Sequence, residues 1–303
     1  MLQPEMAKLD ERFHVVRLYN EADPEKALQA VKQDVVAILS TMSTPVRRSL
    51  IEALPNLEII TQCAVGTDNI DLDAAKQRNI AVTNTPDVLT DDTADIAVSL
   101  LLALSRRICE GDMYVRIGKW ATSGPMPLGV TPKGKTVGIV GLGRIGKAIA
   151  KRLVAFDMRV VYHGRKQKAD YAWPFFKDLE MMAAHADYLV LSCPGGPDTH
   201  HIVNARVLDA LGPKGYVINV ARGTVIDEEA LVDALVHKRI AGAGLDVYER
   251  EPNVPDALKS LDNVVLLPHI GSATIETRTI MGEIVLANLE AHFSGKPLIT
   301  PVS

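Results

Sequence analysis

The sequence has little cysteine, and its three cysteines, Cys63, Cys109 and Cys193, lie far apart along 303 residues. Thiols at such spacing exclude a disulfide framework and offer no closely spaced ligands for a metal. We therefore expect a protein of a reducing compartment, the cytoplasm, with a functional site that holds no metal ion.

Long apolar runs are also scarce. Hydrophobic residues make up 47% of the chain and charged residues 23%, as in ordinary globular proteins. The most apolar run, residues 96–104, is too short to span a bilayer, and residues 1–13 lack the apolar core of a signal peptide. These absences argue against a membrane partner.

A large excess of one charge is lacking as well. The chain carries 33 basic and 37 acidic side chains, which gives a formal net charge of −4. This balance argues against a nucleic-acid partner or a membrane-surface role for the whole protein. Any basic patch must therefore be local.

Alternating strand-like and helix-like segments fill the chain, whose length suits two domains. Short apolar runs separated by helices predict an α/β fold with parallel sheets covered on both faces. The first series has strand-like runs at residues 35–39, 57–64 and 80–84 and helices at 46–53 and 72–78. The second series has strand-like runs from residue 135 onward, forms a complete doubly wound set, and has helices at 145–156, 179–185, 205–211 and 228–237.

A helical segment joins the two series. Residues 91–107 begin with acidic and end with basic side chains, as the helix dipole favours, and residues 118–134 then form a loop rich in Gly and Pro. The chain begins on a helix-like segment where sheets of this kind normally begin on a strand. The last helical pattern, residues 274–293, is expected to return to the first domain. We therefore assign residues 1–98 plus 282–303 to a substrate-binding domain and residues 99–281 to a cofactor domain.

A glycine motif of sequence GLGRIG follows the first strand of the second series. Its glycines, Gly141, Gly143 and Gly146, have the spacing of a dinucleotide-binding fingerprint. Gly141 allows a tight turn, Gly143 lets the backbone approach a pyrophosphate, and Gly146 lets the helix pack closely on the sheet. Because a strand precedes the motif and an apolar helix follows it, a dinucleotide site is favoured over a simple glycine turn.

The basic segment YHGRKQK lies where an acidic residue usually holds the ribose of NAD. His163 ends the strand, and Arg165, Lys166 and Lys168 follow it, with Arg144 in the glycine loop. A guanidinium suits a phosphate well, so the segment indicates a preference for NADP(H), with NAD(H) as the alternative. For the lysines, a solvated basic loop is an equally good interpretation.

Three residues with catalytic chemistry follow later strands: Arg222, Glu251 and His269. The carboxyl ends of strands in a doubly wound sheet face the ligand, which places all three on the cofactor's side. A guanidinium can hold the carboxylate of a 2-keto acid, an imidazole can donate a proton, and a carboxylate can orient the imidazole. Each residue alone also fits a structural role, and their joint occurrence favours catalysis.

Several longer motifs have the pattern of a known family. They are VGTDNIDLDAA, NTPDVLTDDTADIAVSLLLALSRR, GKTVGIVGLGRIGKAIA, NVARG, GAGLDVYEREP, LLPHIGSATIETR and NLEAHFSGKPL. Through them the chain resembles the D-isomer-specific 2-hydroxyacid dehydrogenases over nearly its whole length, and especially the glyoxylate/hydroxypyruvate and hydroxyphenylpyruvate reductases. The resemblance implies two doubly wound parallel-sheet domains, a Rossmann cofactor domain inserted in a flavodoxin-like substrate domain, and a homodimer built largely through the cofactor domain.

The resemblance also implies roles for the site residues. Arg222, Glu251 and His269 match the family's catalytic residues, and Val65 and Gly66 match a loop that holds the substrate carboxylate together with Arg222. Combined with the glycine motif and the basic segment, the expected cofactor contacts are Thr93, Gly141, Gly143, Arg144, Ile145, Gly146, His163, Gly164, Arg165, Lys166, Cys193, Pro194, Val220, Asp246, His269 and Gly271.

We therefore expect an NAD(P)-dependent oxidoreductase whose substrate is a small 2-keto acid, glyoxylate or hydroxypyruvate. Two other functions stay open. A reductase for a bulkier substrate such as hydroxyphenylpyruvate needs a wider pocket, and Met42, Trp120 and Met126 are candidate wall residues that fit ordinary packing equally well. A dinucleotide-sensing protein, similar to the corepressors that resemble this family, would keep the catalytic residues and bind the nucleotide without turnover.

Overall fold

The chain divides into two compact units in a computed structural model that describes residues 2–302. Met1–Leu89 and Ala273–Ser303 form the smaller unit, and Thr90–Ser272 forms the larger one. Each unit has one parallel β-sheet, of three strands in the smaller unit and seven in the larger. The predicted α/β fold with two parallel-sheet domains is confirmed.

The smaller unit is built on a sheet of order β1-β2-β3. The central strand β2 is buried along its whole length, as expected for a parallel strand covered on both faces. Among the described residues before 37 there are two helices and a short 3₁₀ turn, and the first strand follows them. The strands are β1 (Ala37–Ser40), β2 (Ile59–Gln62) and β3 (Ala81–Thr83), and the helices are α1 (Gln3–Arg12), α2 (Pro24–Val31), α3 (Arg48–Ala53), α4 (Leu72–Gln77) and α13 (Ile275–Phe293).

The larger unit is built on a sheet of order β10-β9-β8-β7-β4-β5-β6, in which every pair is parallel. After β4, strands β5 and β6 extend the sheet to one edge, whereas β7 pairs with the other side of β4 and is followed by β8, β9 and β10 toward the opposite edge. The strand order therefore reverses between β4 and β7. Ligands of such sheets bind outside the carboxyl ends of the strands at this reversal. The strands are β4 (Thr136–Val140), β5 (Arg159–His163), β6 (Phe175–Phe176), β7 (Tyr188–Leu191), β8 (Tyr216–Asn219), β9 (Gly242–Leu245) and β10 (Val264–Leu266).

The larger unit contains helices that the sequence patterns did not predict. The segment 118–134 was predicted to be a loop, and this is wrong for its first part, because a short helix forms between two glycines of positive φ, Gly118 and Gly124. The helices are α5 (Thr90–Arg106), α6 (Ile108–Arg116), α7 (Lys119–Ser123), α8 (Arg144–Val154), α9 (Leu179–His185), α10 (Ala205–Leu211), α11 (Glu228–Val236) and α12 (Asp256–Lys259).

The core of the larger unit lies on both faces of its sheet. Alternate side chains of β7 enter opposite layers, Leu189 into one and Val190 into the other, and both are fully buried. Gly244 in β9 lets α5 pack closely, since a Cβ at that position would lie 3.0 Å from Leu100 Cβ. Within residues 2–302, none of the helices is both long and apolar enough to cross a membrane.

The units separate at residues 89/90 and 272/273, whereas the sequence placed the domain boundaries at 98/99 and 281/282. The sequence-based boundaries fall inside α5 and α13. A helix packs as one body, and α5 packs along its length on α8 and the seven-stranded sheet. The divisions between the units therefore fall near the first residues of α5 and α13 rather than inside them. The binding role given to each domain stays a prediction.

Candidate active site

The glycine motif forms the turn between β4 and α8, where each glycine meets a different constraint. Gly141 has φ +94°, and a Cβ there would lie 2.6 Å from Cys193 Cα. A Cβ on Gly146 would collide with the carbonyl oxygen of Gly141. A Cβ on Gly143 would meet no atom within 4 Å. Gly141 and Gly146 therefore serve the fold, while the open space at Gly143 fits the close approach of a pyrophosphate.

The helix that follows this turn begins without a side-chain cap. Gly143 is the N-cap residue of α8, and as a glycine it has no side chain that could cap the first turn, where Arg144 and Ile145 lie. By contrast, Asp178, Asn204 and Asp227 cap α9, α10 and α11 with their side chains. An uncapped helix start with a positive dipole end is a ready anion site. The residues present here therefore fit the phosphates of a dinucleotide.

The basic segment follows the end of β5. His163 Nδ1 lies 3.0 Å from the carbonyl oxygen of Phe176, which fastens β5 to β6. Gly164 has open space where a Cβ would lie, and Arg165 and Lys166 are exposed. The Lys168 backbone N–H donates to the Tyr162 hydroxyl at 2.7 Å, so the segment is anchored at its far end. The 2′-phosphate contact stays a prediction.

The residues predicted to transfer a proton lie side by side. His269 Nδ1 is 2.7 Å from Glu251 Oε2, and both side chains are about one-third exposed, at 34% each. The other carboxylate oxygen of Glu251 accepts from the Tyr248 backbone N–H at 3.1 Å. Burial opposes ionisation of Glu251, but the hydrogen bond and charge of His269, the Tyr248 N–H and, to the smallest extent, the charge of Arg222 outweigh it and lower the pKa of Glu251.

The loop that carries His269 is braced by a buried carboxylate. Asp246 accepts from the backbone N–H groups of Ile270 and Gly271 at 2.7 and 2.8 Å, and its own carbonyl accepts from the His269 N–H at 2.8 Å. Thr93 donates to the Gly271 carbonyl at 3.1 Å. Burial raises the pKa of Asp246, against the effect of these backbone donors. His269 itself has φ +53°, so this bracing holds it in an unusual conformation.

Arg222 comes from the loop after β8, beside the segment that holds Glu251. Its Nη1 donates to the Ala221 carbonyl at 2.7 Å, and Asn219 donates to the Arg222 carbonyl at 2.9 Å. The next residue, Gly223, lies so close to the backbone between Tyr248 and Glu249 that a Cβ would collide with it. The structure therefore brings together the segments of Arg222, Glu251 and His269 at the carboxyl edge of one sheet.

The remaining predicted residues lie at two places. Cys193, Pro194 and Val220 follow β7 and β8 in the larger unit, and burial raises the pKa of the Cys193 thiol to about 11. Val65 and Gly66 follow β2 in the smaller unit, where their carbonyls accept from Asn84 at 2.7 Å and from Gln62 at 3.1 Å. Their binding roles stay predictions.

Two supporting residues were not predicted from the sequence. Tyr248 supplies the backbone N–H to Glu251, and its hydroxyl donates to the Leu267 carbonyl at 3.0 Å, which ties the segment after β9 to the segment after β10. Asn219, at the end of β8, orders the turn before Arg222 and accepts from the Ala221 N–H at 3.0 Å. An Asn at the end of an apolar strand was the available signal for the second of these.

Comparisons with known proteins agree with this geometry. Residues 98–271 match the family model of the D-isomer specific 2-hydroxyacid dehydrogenase NAD binding domain. The chain is 49% identical to hydroxyphenylpyruvate reductase of Plectranthus scutellarioides and 48% identical to glyoxylate/hydroxypyruvate reductase A of Arabidopsis thaliana, each over 97% of this chain and 94% of the relative.

A solved structure gives the same result. The NADPH-dependent glyoxylate/hydroxypyruvate reductase of Sinorhizobium meliloti, in complex with NADP and malonate, superposes with a TM-score of 0.92 at 42% identity, covering 100% of this chain and 94% of that chain. The matched family model spans the glycine turn and the segments of Arg222, Glu251 and His269. The chain therefore belongs to the D-isomer specific 2-hydroxyacid dehydrogenase family of oxidoreductases.

Proposed function

We propose that this chain reduces small 2-keto acids, glyoxylate and hydroxypyruvate, to 2-hydroxy acids with NADPH. The observation that carries the proposal is the 2.7 Å distance between His269 Nδ1 and Glu251 Oε2. The positive charge of Arg222 also contributes to lowering the pKa of the Glu251 carboxyl. A proton donor and a carboxylate-binding cation at one sheet edge are what such a reaction needs. The similarity to proteins named glyoxylate/hydroxypyruvate reductase supports the substrate class.

His269 is the proposed general acid. Its Nδ1 is engaged by Glu251, so the proton passes from Nε2 to the substrate carbonyl oxygen as that oxygen becomes an alkoxide. The Glu251 carboxylate fixes the orientation of the ring. The bound nicotinamide cofactor supplies the hydride.

Arg222 is the proposed substrate anchor. A guanidinium pairs with a carboxylate through two parallel hydrogen bonds, which fixes the position of the adjacent carbonyl as well as the acid group. The backbone N–H groups of Val65 and Gly66 are proposed to bind the same carboxylate. Asp246 positions His269, because its two carboxylate oxygens hold the backbone of the loop that carries His269.

The proposed preference for NADPH rests on the end of β5. The position that usually carries an acid is held by His163, and the exposed Arg165 and Lys166 follow it. A 2′-phosphate would be stabilised by the guanidinium, whereas a carboxylate there would repel it.

Replacing the proposed phosphate contact tests the cofactor preference. Arg165→Ala should lower kcat/KM with NADPH by about 10- to 100-fold, the range of a lost charge-assisted hydrogen bond, and change the value with NADH less than about twofold. Lys168→Ala is the matched control, because its side chain is expected to be solvated. Equal losses with both nucleotides would show that Arg165 makes no 2′-phosphate contact.

The substrate is tested by a panel of 2-keto acids with NADPH. The second candidate is a bulkier substrate, favoured by the 49% identity to a protein named hydroxyphenylpyruvate reductase. Higher kcat/KM for glyoxylate and hydroxypyruvate than for 4-hydroxyphenylpyruvate supports the first proposal, and the reverse order supports the second. Nucleotide binding without turnover of any 2-keto acid would contradict both and favour a dinucleotide sensor.

We also propose that the chain is a homodimer built through the larger unit. Six large apolar side chains between residues 108 and 128 are each at least 53% exposed: Ile108, Met113, Val115, Ile117, Trp120 and Leu128. Exposed large apolar side chains concentrated in one stretch of the chain support an interface there, because their exposure to water is unfavourable. We name these six residues the apolar patch.

Light scattering on the purified chain tests the dimer. The expected mass is twice that of one chain, and Ile117→Asp should shift it toward the monomer because a buried charge destabilises an apolar interface. Val236→Asp, at an exposed apolar residue of α11 outside the apolar patch, should leave the dimer intact. A monomeric wild-type chain would contradict the proposal.

A further inference from the structure

Two histidines and a glutamate lie together apart from the proposed proton-transfer pair. One ligand atom from each of His200, His201 and Glu249 lies within 4.8 Å of the other two. The histidines follow the 3₁₀ turn Pro197–Thr199 beyond β7, and Glu249 follows β9. Since β7 and β9 flank β8 in the sheet, the cluster joins the two loops on either side of the loop that carries Arg222.

The backbone turns the two imidazoles to the same side. Consecutive residues of an extended chain point in opposite directions, but His201 has φ +50°, and its N–H donates to the Thr224 carbonyl at 2.8 Å. The rings of His200 and His201 consequently stack, with centroids 3.9 Å apart and planes at 28°. A left-handed conformation in a residue other than glycine is uncommon and tends to occur where function requires it.

One nitrogen of the cluster lacks a hydrogen bond. His201 Nε2 is buried and has no hydrogen-bond partner among the described residues. Glu249 Oε1 lies 3.4 Å away, close enough for charge attraction but without hydrogen-bond geometry. A buried ring nitrogen left in this state costs free energy, which a cation bound to its lone pair would recover.

We propose that His200, His201 and Glu249 form a binding site for a divalent transition cation, with Zn²⁺ as its reference ligand. Two imidazoles and one carboxylate are a donor set suited to Zn²⁺ and its first-row neighbours, whereas Mg²⁺ and Ca²⁺ require oxygen donors. Three protein ligands leave a tetrahedral cation one position for water or for an exogenous anion. The proposal stands or falls independently of the reductase activity.

The surroundings favour a cation. The Glu249 backbone N–H donates to Glu228 Oε1 at 3.2 Å, which brings a second carboxylate beside the cluster. A groove of about 650 Å³ adjoins the cluster, since Glu249 lines both. The acidic residues that line this groove outnumber its one arginine, Arg250. These acidic residues are Glu228, Glu229, Asp233, Glu249 and Asp256. Such a lining raises the local concentration of cations.

Calorimetric titration of the full chain with ZnCl₂ tests the site, with the protein first treated with EDTA and dialysed. We expect one Zn²⁺ per chain at the site and an upward shift of Tm in the presence of the metal, because a ligand bound to the folded state stabilises it. His201→Asn keeps a residue that tolerates positive φ and removes the imidazole. It should weaken binding by about tenfold or more, as should Glu249→Gln.

The matched control is His237→Gln. His237 is an exposed histidine whose Nδ1 lies 2.9 Å from Asp233 Oδ1, so it offers a similar pair of groups without the third ligand. This variant should bind Zn²⁺ like the wild type. Zn²⁺ binding that is absent, or unchanged in both His201→Asn and Glu249→Gln, would overturn the proposal. If His201→Asn unfolds, Glu249→Gln and His200→Asn decide the outcome by the same criterion.

Discussion

The side chains that carry the proposed chemistry are held in place by neighbouring groups of the larger unit. His269 is fixed on one side by Glu251 at 2.7 Å and through its backbone by the carbonyl of Asp246 at 2.8 Å. Glu251 is in turn fixed by the Tyr248 N–H. Because each partner is bonded within the same unit, the proton donor is oriented before any substrate arrives, as electrostatic preorganisation requires.

The cysteines give a prediction at the residue scale. Burial raises the pKa of Cys193 to about 11 and also raises the pKa of Cys63, while Cys109 is exposed. At pH 8 the Cys193 thiol is therefore almost entirely protonated, and the thiolate is the reactive form. Iodoacetamide should therefore label Cys109 first, and Cys193 labelling should rise steeply toward pH 11.

Peptide mass spectrometry after timed labelling at several pH values checks this order. Cys109→Ser is the control, since it should remove the fast phase and leave the slow one unchanged. Labelling of Cys193 at pH 8 as fast as that of Cys109 would contradict the burial of Cys193 beside the glycine turn.

At the scale of elements, the turn between β4 and α8 separates a structural glycine from a binding one. Gly143 has φ −84°, which alanine adopts freely, and open space where a Cβ would lie. Gly146 lies in α8 against the Gly141 carbonyl and the Ser192 hydroxyl. A methyl group added at Gly143 should therefore weaken cofactor binding, whereas one added at Gly146 should destabilise the fold.

Two variants test this division. Gly143→Ala should keep the stability of the wild type and weaken NADPH binding, because the methyl group occupies the space expected for the pyrophosphate. Gly146→Ala should lower the free energy of unfolding by about 1–3 kcal/mol through overpacking. Urea unfolding and NADPH fluorescence titration measure the two effects. Full NADPH affinity in Gly143→Ala would contradict the assignment of the turn.

Local sequence signals predicted many elements well. The ranges of α9 and α10 agree with their predicted ranges at both ends, because Asp178 and Asn204 cap them and an apolar face follows. The helices α6 and α7 were not predicted. Arg107 lies between α5 and α6 with φ +53°, a conformation that propensity does not assign to arginine, and α7 is a single turn between glycines.

At the scale of the whole molecule, the predicted site residues divide unequally between the units. Val65 and Gly66 belong to the smaller unit, and the predicted catalytic and cofactor-binding residues belong to the larger one. Sequence motifs predicted these residues, most of which lie within a few residues after the end of a strand. They did not predict the cluster of His200, His201 and Glu249, since its members come from two loops that meet only when the sheet forms.

The most direct test of the central claim is the turnover of hydroxypyruvate with NADPH by the wild type and by His269→Gln. The variant removes the proposed proton donor and keeps a side chain of similar size. NADPH affinity, measured by fluorescence, serves as the control for cofactor binding, and His185→Gln, at an exposed histidine of α9, should behave as wild type. We predict a fall in kcat of about 10²- to 10⁴-fold in His269→Gln with NADPH still bound. An unchanged kcat would contradict the account.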